Sequence, residues 1–252
     1  MDEAALYTWL LYGIFAVAAL TILALLFVSA PYGRHQRGGW GPTMNTRAAW
    51  VVMESPSVFW FLAVFFAGEH AWSLTPLVLL GMWQAHYVQR TLIFPFLLRT
   101  GGKPTPVSVV AMGFGFNLVN AYLNARLISH IATYDASWLT DPRFLVGAGL
   151  FAFGYSLNRS SDRALRNLRA PGESGYKIPR GGAFELVSCP NYFGELVEWT
   201  GWAIATWSLA GLSFAVFTAA NLVPRAISHH RWYKEKFPDY PTSRRAVIPF
   251  LL

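Results

Sequence analysis

Seven stretches of this chain stay apolar for roughly twenty residues each, and most of its charge lies between them. The runs are approximately 6–29, 49–67, 73–98, 107–130, 144–160, 193–209 and 211–228. As helices, runs of this length match the hydrocarbon thickness of a bilayer. In lipid, a helix is one of the few ways to bond every backbone polar group internally. Of the 252 residues 54% are apolar and 13% charged, too little charge to coat a soluble domain of this size. The predicted fold class is therefore an all-α integral membrane protein with seven transmembrane helices. The last two runs nearly touch, with "SLAGLS" at 208–213 as the expected turn.

The basic residues test that count. Arg34, Arg37 and Arg47 follow the first run, and Arg99 and Lys103 follow the third. Arg159, Arg163, Arg166, Arg169, Lys177 and Arg180 follow the fifth, and Arg231, Lys234, Lys236, Arg244 and Arg245 follow the seventh. The intervening connections, "AGEHAW" and "IATYDASWLTDP", hold no Lys or Arg. This alternation predicts an outside N-terminus and a cytoplasmic C-terminus. The first run has acids where a signal peptide has bases and is long for a cleaved segment, so it reads as a retained span. No repeat or flexible linker divides the chain, so it is read as one domain, 1–252. The connection 160–192 begins with a helical pattern and is then punctuated by Gly and Pro, as expected of an ordered surface loop.

The net charge of +7 does not indicate nucleic acid, because the aromatics sit in apolar runs rather than among Lys and Arg. A lone cysteine, Cys189, excludes an internal disulfide or a multi-cysteine metal centre, and no metal site is expected. Neither "RGGWGP" nor "RTGGKPTP" matches a dinucleotide or P-loop fingerprint.

Glu54 lies seven residues past Arg47, or roughly 10 Å along a helix. An acid at that depth must face a cavity or a neighbouring span. The third run carries Gln84, His86, Tyr87 and Arg90; Gln84, Tyr87 and, loosely, Arg90 share a stripe, and His86 points elsewhere. A protonated glutamic acid beside a tyrosine hydroxyl would clamp a carbonyl oxygen with two donors in a site poor in water.

The other polar groups are expected at the cytoplasmic side. Asn117, Asn120, Asn124 and Arg126 lie in the fourth run. Asn158 and Asp162 form an i, i+4 pair where the fifth ends, and Arg166 and Arg169 extend that face. Asn191, Glu195 and Glu198 follow at i, i+4, i+7 on the sixth, and His229, His230, Arg231 and Tyr233 close the seventh. Acids, amides and arginines mixed in this way suit a polyanionic ligand that also carries sugar and amide groups, such as a dinucleotide. Topological charge and polar helix contacts explain Lys234 and Lys236 but explain Glu195 and Glu198 poorly.

The stretches "NRSSDRALRNLRAPGESGYKIPRGGAFELVSCPNYFGELVEW", "ATWSLAGLSFA" and "HHRWYKEKFPDYPTSRRAVIPFLL", with "RAAWVVMESPS" and "HYVQRTLIFPFLLRTGGKPTP" upstream, resemble the steroid 5α-reductase family over nearly the whole chain. The resemblance implies NADPH-dependent reduction of a 3-oxo-Δ4 steroid, with hydride passing to C5 and a proton to C4. It places Glu54 and Tyr87 on the C3 carbonyl oxygen. It implies cofactor contacts at Arg99, Lys103, Asn158, Asp162, Arg169, Tyr176, Asn191, Glu195, His229 and Tyr233, and Arg166 is expected with them from its place on the Asp162 face. Glu198 joins them either in the socket or by fixing an Arg or His. It further implies a lipid-accessible cavity in about 1–130 and cofactor binding in about 131–252. Two departures stand out: Met53 replaces the family's usual Gln, and "RTGGKP" alters an asparagine–arginine arrangement.

The rival readings are a membrane reductase of a non-steroid enone or enoyl lipid, an isoprenylcysteine-type methyltransferase using S-adenosylmethionine, and a lipid carrier. The expected partners are an apolar ketone and membrane lipid, with no nucleic acid and no required protein. The compact chain without a retention signal points to a bacterial inner membrane, or to the endoplasmic reticulum in a eukaryotic host.

Overall fold

The computed structural model describes residues 2–28, 38–99, 102–168, 173 and 175–252. Among these, seven helical rods account for most of the chain: α1 Glu3–Phe27, α2 Thr46–Phe66, α3 74–97, α4 Val107–Ile131, α5 Pro142–Asn167, α6 Pro190–Thr206 and α7 Leu209–Lys236. Four of them, α1, α2, α4 and α7, are each long and apolar enough to cross a membrane. The expectation of helices alone needs one addition, a two-residue antiparallel ladder pairing β1 Thr43–Met44 with β2 Thr105–Pro106.

Short polar residues start the rods where the sequence supplies them. Asp2, Asn45, Asp141 and Ser208 accept from backbone N–H groups in the first turns of α1, α2, α5 and α7. Successive rods alternate in direction. At one end, Arg126 Nη2 of α4 donates to Glu3 Oε2 of α1 at 2.8 Å, and Trp138 Nε1 donates to the Ala205 carbonyl. At the other end, the Thr46 hydroxyl donates to the Lys103 carbonyl, beside the β1–β2 ladder.

Two expectations about connections change. Helix α5 runs on to Asn167, well past its apolar stretch, so the arginine-bearing segment starts as helix. The α6–α7 turn is only Trp207 and Ser208, with Trp207 in the left-handed region, rather than 208–213. Gly211 belongs to the first turn of α7. A Cβ there would lie 2.7 Å from Thr206 Oγ1 and 2.9 Å from Ala203 Cα, so close packing rather than the turn accounts for glycine.

Helices α5 and α6 form the closest pair. Their backbones meet at Gly147 and Gly154 on one side and Gly194 and Gly201 on the other, where a built Cβ would fall 2.3–2.5 Å from the facing backbone nitrogen. Small residues at such crossings let packing and polar contacts hold helices together in a solvent that gives them little hydrophobic drive.

Helices α2, α3 and α4 each contain a π-helical turn: Pro56–Trp60, Gln89–Ile93 and Leu127–Ile131. Pro56 has no N–H to give, and the Ser55 hydroxyl donates to the Val52 carbonyl at 2.9 Å. Side chains from neighbouring rods take four further carbonyls of α2. Asn117 donates to Met53, Thr91 to Glu54, Trp83 to Ser57 and Gln84 to Val58. Irregular backbone at membrane depth requires such partners.

The core lies beneath these turns. Trp83 is fully buried and contacts Phe61, Tyr87, Trp199, Trp202 and Phe214, with ring centroids 4.6–5.5 Å apart. The buried Tyr87 belongs to this aromatic block, packed against Trp83 and Trp199.

Candidate active site

Glu54 sits two residues before the π-helical turn of α2 begins, and Asn117 Nδ2 of α4 donates to its Oε2 at 3.1 Å. The same amide nitrogen donates to the Met53 carbonyl at 2.8 Å, and Ser57 Oγ donates to Asn117 Oδ1 at 3.1 Å. The buried Tyr87 of α3 lies within electrostatic reach of Glu54 and contacts Ser57. The two predicted clamp residues therefore come from different rods and share one neighbourhood.

Three residues past Tyr87, Arg90 turns toward α5 and α6. Its guanidinium lies 3.5 Å from Asp162 and 3.9 Å from Glu195, and rests over the rings of Trp50 and Phe94 at 4.6 and 4.5 Å. Asn191 Nδ2 donates to Asp162 Oδ1 at 3.0 Å. Asn158 Nδ2 donates to the Asn191 carbonyl at 3.0 Å and to Glu195 Oε2 at 3.3 Å. Charge-assisted bonds of this kind are stronger than neutral ones and hold the carboxylates in fixed orientations. The glycine contacts of α5 and α6 bring these four residues within reach of one another.

Glu198 is fully buried one turn deeper, and its Oε1 lies 2.8 Å from His86 Nδ1. His86, placed off the Tyr87 stripe from sequence, in fact faces α6 and packs edge-on against Trp199. Glu198 is thus paired with a histidine.

The remaining predicted residues divide. Lys103 Nζ donates to the Tyr176 hydroxyl at 3.3 Å and lies over its ring, and Tyr176 meets Trp232 edge-on at 4.8 Å. This joins the 102–106 and 175–181 connections to α7. His229 Nε2 is 3.2 Å from the Tyr192 hydroxyl, and Tyr233 is buried and stacked on Tyr240. Arg166 lies within electrostatic reach of Asp162. Arg99 is exposed just beyond the end of α3. Arg169 lies outside the described residues.

One grouping is corrected. Arg126 and Asn124 do not join the group around Asp162 and Glu195. Helix α4 runs away from the β ladder, which carries Arg126 to the opposite end and onto Glu3. Asn117 reaches Glu54, and Asn124 Oδ1 accepts from Trp202 Nε1 at 2.8 Å. The roles of Arg90, His86 and Asn117 were missed because their partners are 63 to 112 residues away.

The C-terminal loops are held by the tail. Arg244 is buried; its Nη1 donates to the Pro179 carbonyl at 2.9 Å and its Nη2 to Glu185 Oε2 at 3.3 Å. The Gly181 N–H and then Arg244 hold the Glu185 carboxyl below its usual range. Ser188 Oγ lies 2.6 Å from both His230 Nδ1 and the Tyr240 hydroxyl. Among the described residues, no cluster of His, Cys, Asp and Glu is arranged to hold a metal.

With this arrangement in view, the comparisons with known proteins are specific. The model of the 3-oxo-5-alpha-steroid 4-dehydrogenase family matches residues 103–252. The 3-oxo-5-alpha-steroid 4-dehydrogenase 1 of Rattus norvegicus is 48% identical over 254 residues, covering 100% of this chain and 98% of its own. The steroid 5-alpha-reductase DET2 of Gossypium hirsutum is 45% identical over 255 residues, covering 99% of each chain. The chain belongs to the steroid 5α-reductase family. The 3-oxo-5-alpha-steroid 4-dehydrogenase 1 of Bos taurus is 49% identical over 94% of this chain and 93% of its own, so the likeness includes the half that carries Glu54 and Tyr87. Membership agrees with the motifs of the C-terminal half and makes this chain a membrane oxidoreductase.

Proposed function

We propose that this protein reduces the Δ4 double bond of a 3-oxo-Δ4 steroid to the 5α product, with Glu54 and Tyr87 holding the C3 carbonyl oxygen. The observation that carries this reading is the double duty of α3. It sets Tyr87 near Glu54 and, three residues on, directs Arg90 toward Asp162 and Glu195. A carbonyl clamp and an acid–amide socket thus meet on one helix.

In this reading Glu54, in its acid form, and the Tyr87 hydroxyl both donate to the carbonyl oxygen. Negative charge develops on that oxygen as the enone is reduced, and donors fixed in a dry site stabilise it with little reorganisation. The aromatic block around Trp83 excludes water from below. Residues of α5 and α6 would hold NADPH, which when bound would supply a hydride for C5, and C4 would then take a proton.

The donor set suits that cofactor. Asp162 and Glu195 accept from hydroxyl groups, and the Asn158 and Asn191 amides match a carboxamide. Arg166 and Lys103 carry the positive charge that phosphates need. Tyr176, bonded to Lys103 and edge-on to Trp232, belongs to the residues proposed to hold the cofactor. The first half of the chain then forms the cavity for the apolar ketone, and the second half binds the cofactor.

The proposed topology has seven crossings, with the N-terminus outside and the C-terminus cytoplasmic; the alternating rods and the alternating basic connections support it. Cofactor then enters from the cytoplasm and steroid from the lipid.

The test is NADPH oxidation by the purified protein in detergent with testosterone or progesterone, repeated with Glu54→Gln. Turnover in the wild type, with most of it lost and NADPH binding retained in the variant, is the expected result. Full activity in Glu54→Gln would remove the clamp.

A further inference from the structure

Asn117 is a buried amide in the middle of α4 to which the clamp, as described, assigns no task. Its surroundings define its orientation. The Met53 carbonyl, 2.8 Å away, can only accept, so the amide nitrogen rather than the oxygen must face it. Ser57 Oγ at 3.1 Å then donates to Oδ1, consistent with that assignment. With one N–H committed to Met53, the second points at Glu54 Oε2, 3.1 Å away.

The consequence falls on the acid. In a carboxylic acid the carbonyl oxygen accepts hydrogen bonds far better than the hydroxyl oxygen, so the oxygen that accepts from the Asn117 amide, Oε2, takes the carbonyl role. In the acid form of Glu54 the proton is therefore carried by Oε1. We propose that Asn117 is a positioning residue that fixes the Glu54 proton on Oε1, where it is available to a ketone oxygen. This rests on the reading of Glu54 and Tyr87 as the carbonyl clamp.

Met53 completes the bracket through its backbone. Its Cγ and Sδ lie 2.5 Å from where a Cβ on Gly113 would stand, so the side chain occupies the space that glycine leaves on α4. That contact keeps the Met53 carbonyl in front of Asn117, one turn along the same helix.

The experiment uses the purified full chain in detergent with NADPH and a 3-oxo-Δ4 steroid, comparing wild type, Asn117→Leu, Asn117→Asp and Ser57→Ala. In Asn117→Leu the kcat should fall by about 30- to 100-fold, part of what an oriented general acid contributes. The steroid KM and the NADPH Kd should each change by less than about threefold, as expected when a transition-state interaction alone is lost. The solvent deuterium isotope effect on kcat should rise, because proton delivery to the carbonyl oxygen becomes slower.

Asn117→Asp has nearly the same volume but one donor at most, so it should show a loss in the same direction. Ser57→Ala should lose only about threefold, because the Met53 carbonyl still orients the amide. Two results overturn the assignment: kcat in both Asn117 variants within threefold of wild type, or a loss matched by weaker NADPH binding with an unchanged solvent isotope effect. If Asn117→Leu does not accumulate, Asn117→Asp decides by the same criteria. No enone turnover in the wild type would instead strike at the reductase reading itself.

Discussion

Gly154→Ala is the smallest change that should open the cofactor side of the site. A Cβ at Gly154 would lie 2.3 Å from the Glu198 backbone nitrogen and 2.5 Å from the Gly194 carbonyl oxygen, where ordinary contact begins at 3.4 Å. All of the opposing atoms are backbone, so α5 and α6 must separate by about 1 Å at this crossing, and overpacking of this kind costs about 1–3 kcal/mol. Asn158 is one turn further along α5, and its 3.0 Å bond to the Asn191 carbonyl would stretch beyond hydrogen-bond range. The 3.0 Å bond from Asn191 to Asp162 lies on the same seam and would follow. Each adds about 1 kcal/mol, for a total of about 3–5 kcal/mol. The assay is thermal unfolding in detergent together with NADPH affinity. Gly149→Ala serves as the control, because nothing lies within 4 Å of its Cβ position. The variant should melt on the order of 10 °C below wild type and bind NADPH at least about tenfold more weakly, while the control stays near wild type. Equal melting and equal affinity for the two variants would refute the argument that backbone contact at Gly154 sets the socket.

Three further outcomes are expected. His86→Leu leaves Glu198 buried without its partner and should destabilise the protein by about 3–5 kcal/mol, whereas the double variant with Glu198→Leu should recover most of the loss; equal melting temperatures for single and double would contradict this. Glu195→Ala removes an acceptor for Asn158 and a counter-charge for Arg90, so the NADPH Kd should rise by about ten- to a hundredfold, and an unchanged Kd measured by fluorescence quenching would exclude its cofactor role. The Glu185 carboxyl is held below its usual range, so its link to Gly181 and Arg244 stabilises the fold above the unfolded-state value of 4.5 and is lost as pH falls through the lower folded value. Glu185→Gln should therefore flatten the acid side of a melting-temperature profile taken from roughly pH 3 to 7, and a parallel profile would argue against the clasp.

Much of this was legible in the residues before the fold. Apolar run length and alternating basic connections delivered the seven rods, and the stripes on the fifth and sixth runs delivered Asn158, Asp162, Asn191 and Glu195 as one group. What stayed hidden involves partners distant in sequence. Gly147, Gly154, Gly194 and Gly201 look like ordinary glycines of apolar runs until the two helices are laid together. His86 appeared to point away because periodicity describes one helix and is silent about the neighbour, here Glu198. Arg126 was grouped with the cytoplasmic charges by residue type, although its place at the far end of α4 opposes that. The π-helical turns leave no mark in hydropathy; Pro56 hints at the first, and only the carbonyls taken by Asn117, Thr91, Trp83 and Gln84 reveal how it is held.

In the proposed reaction the cofactor would reduce a clamped enone directly. The sharpest test is product analysis by mass spectrometry after turnover of a 3-oxo-Δ4 steroid with NADPH deuterated at the transferable nicotinamide position. A 5α-reduced ketone with one deuterium at C5 is expected, formed by wild type and nearly abolished in Glu54→Gln. Unlabelled product, deuterium at any other carbon, or equal product from the variant would contradict it.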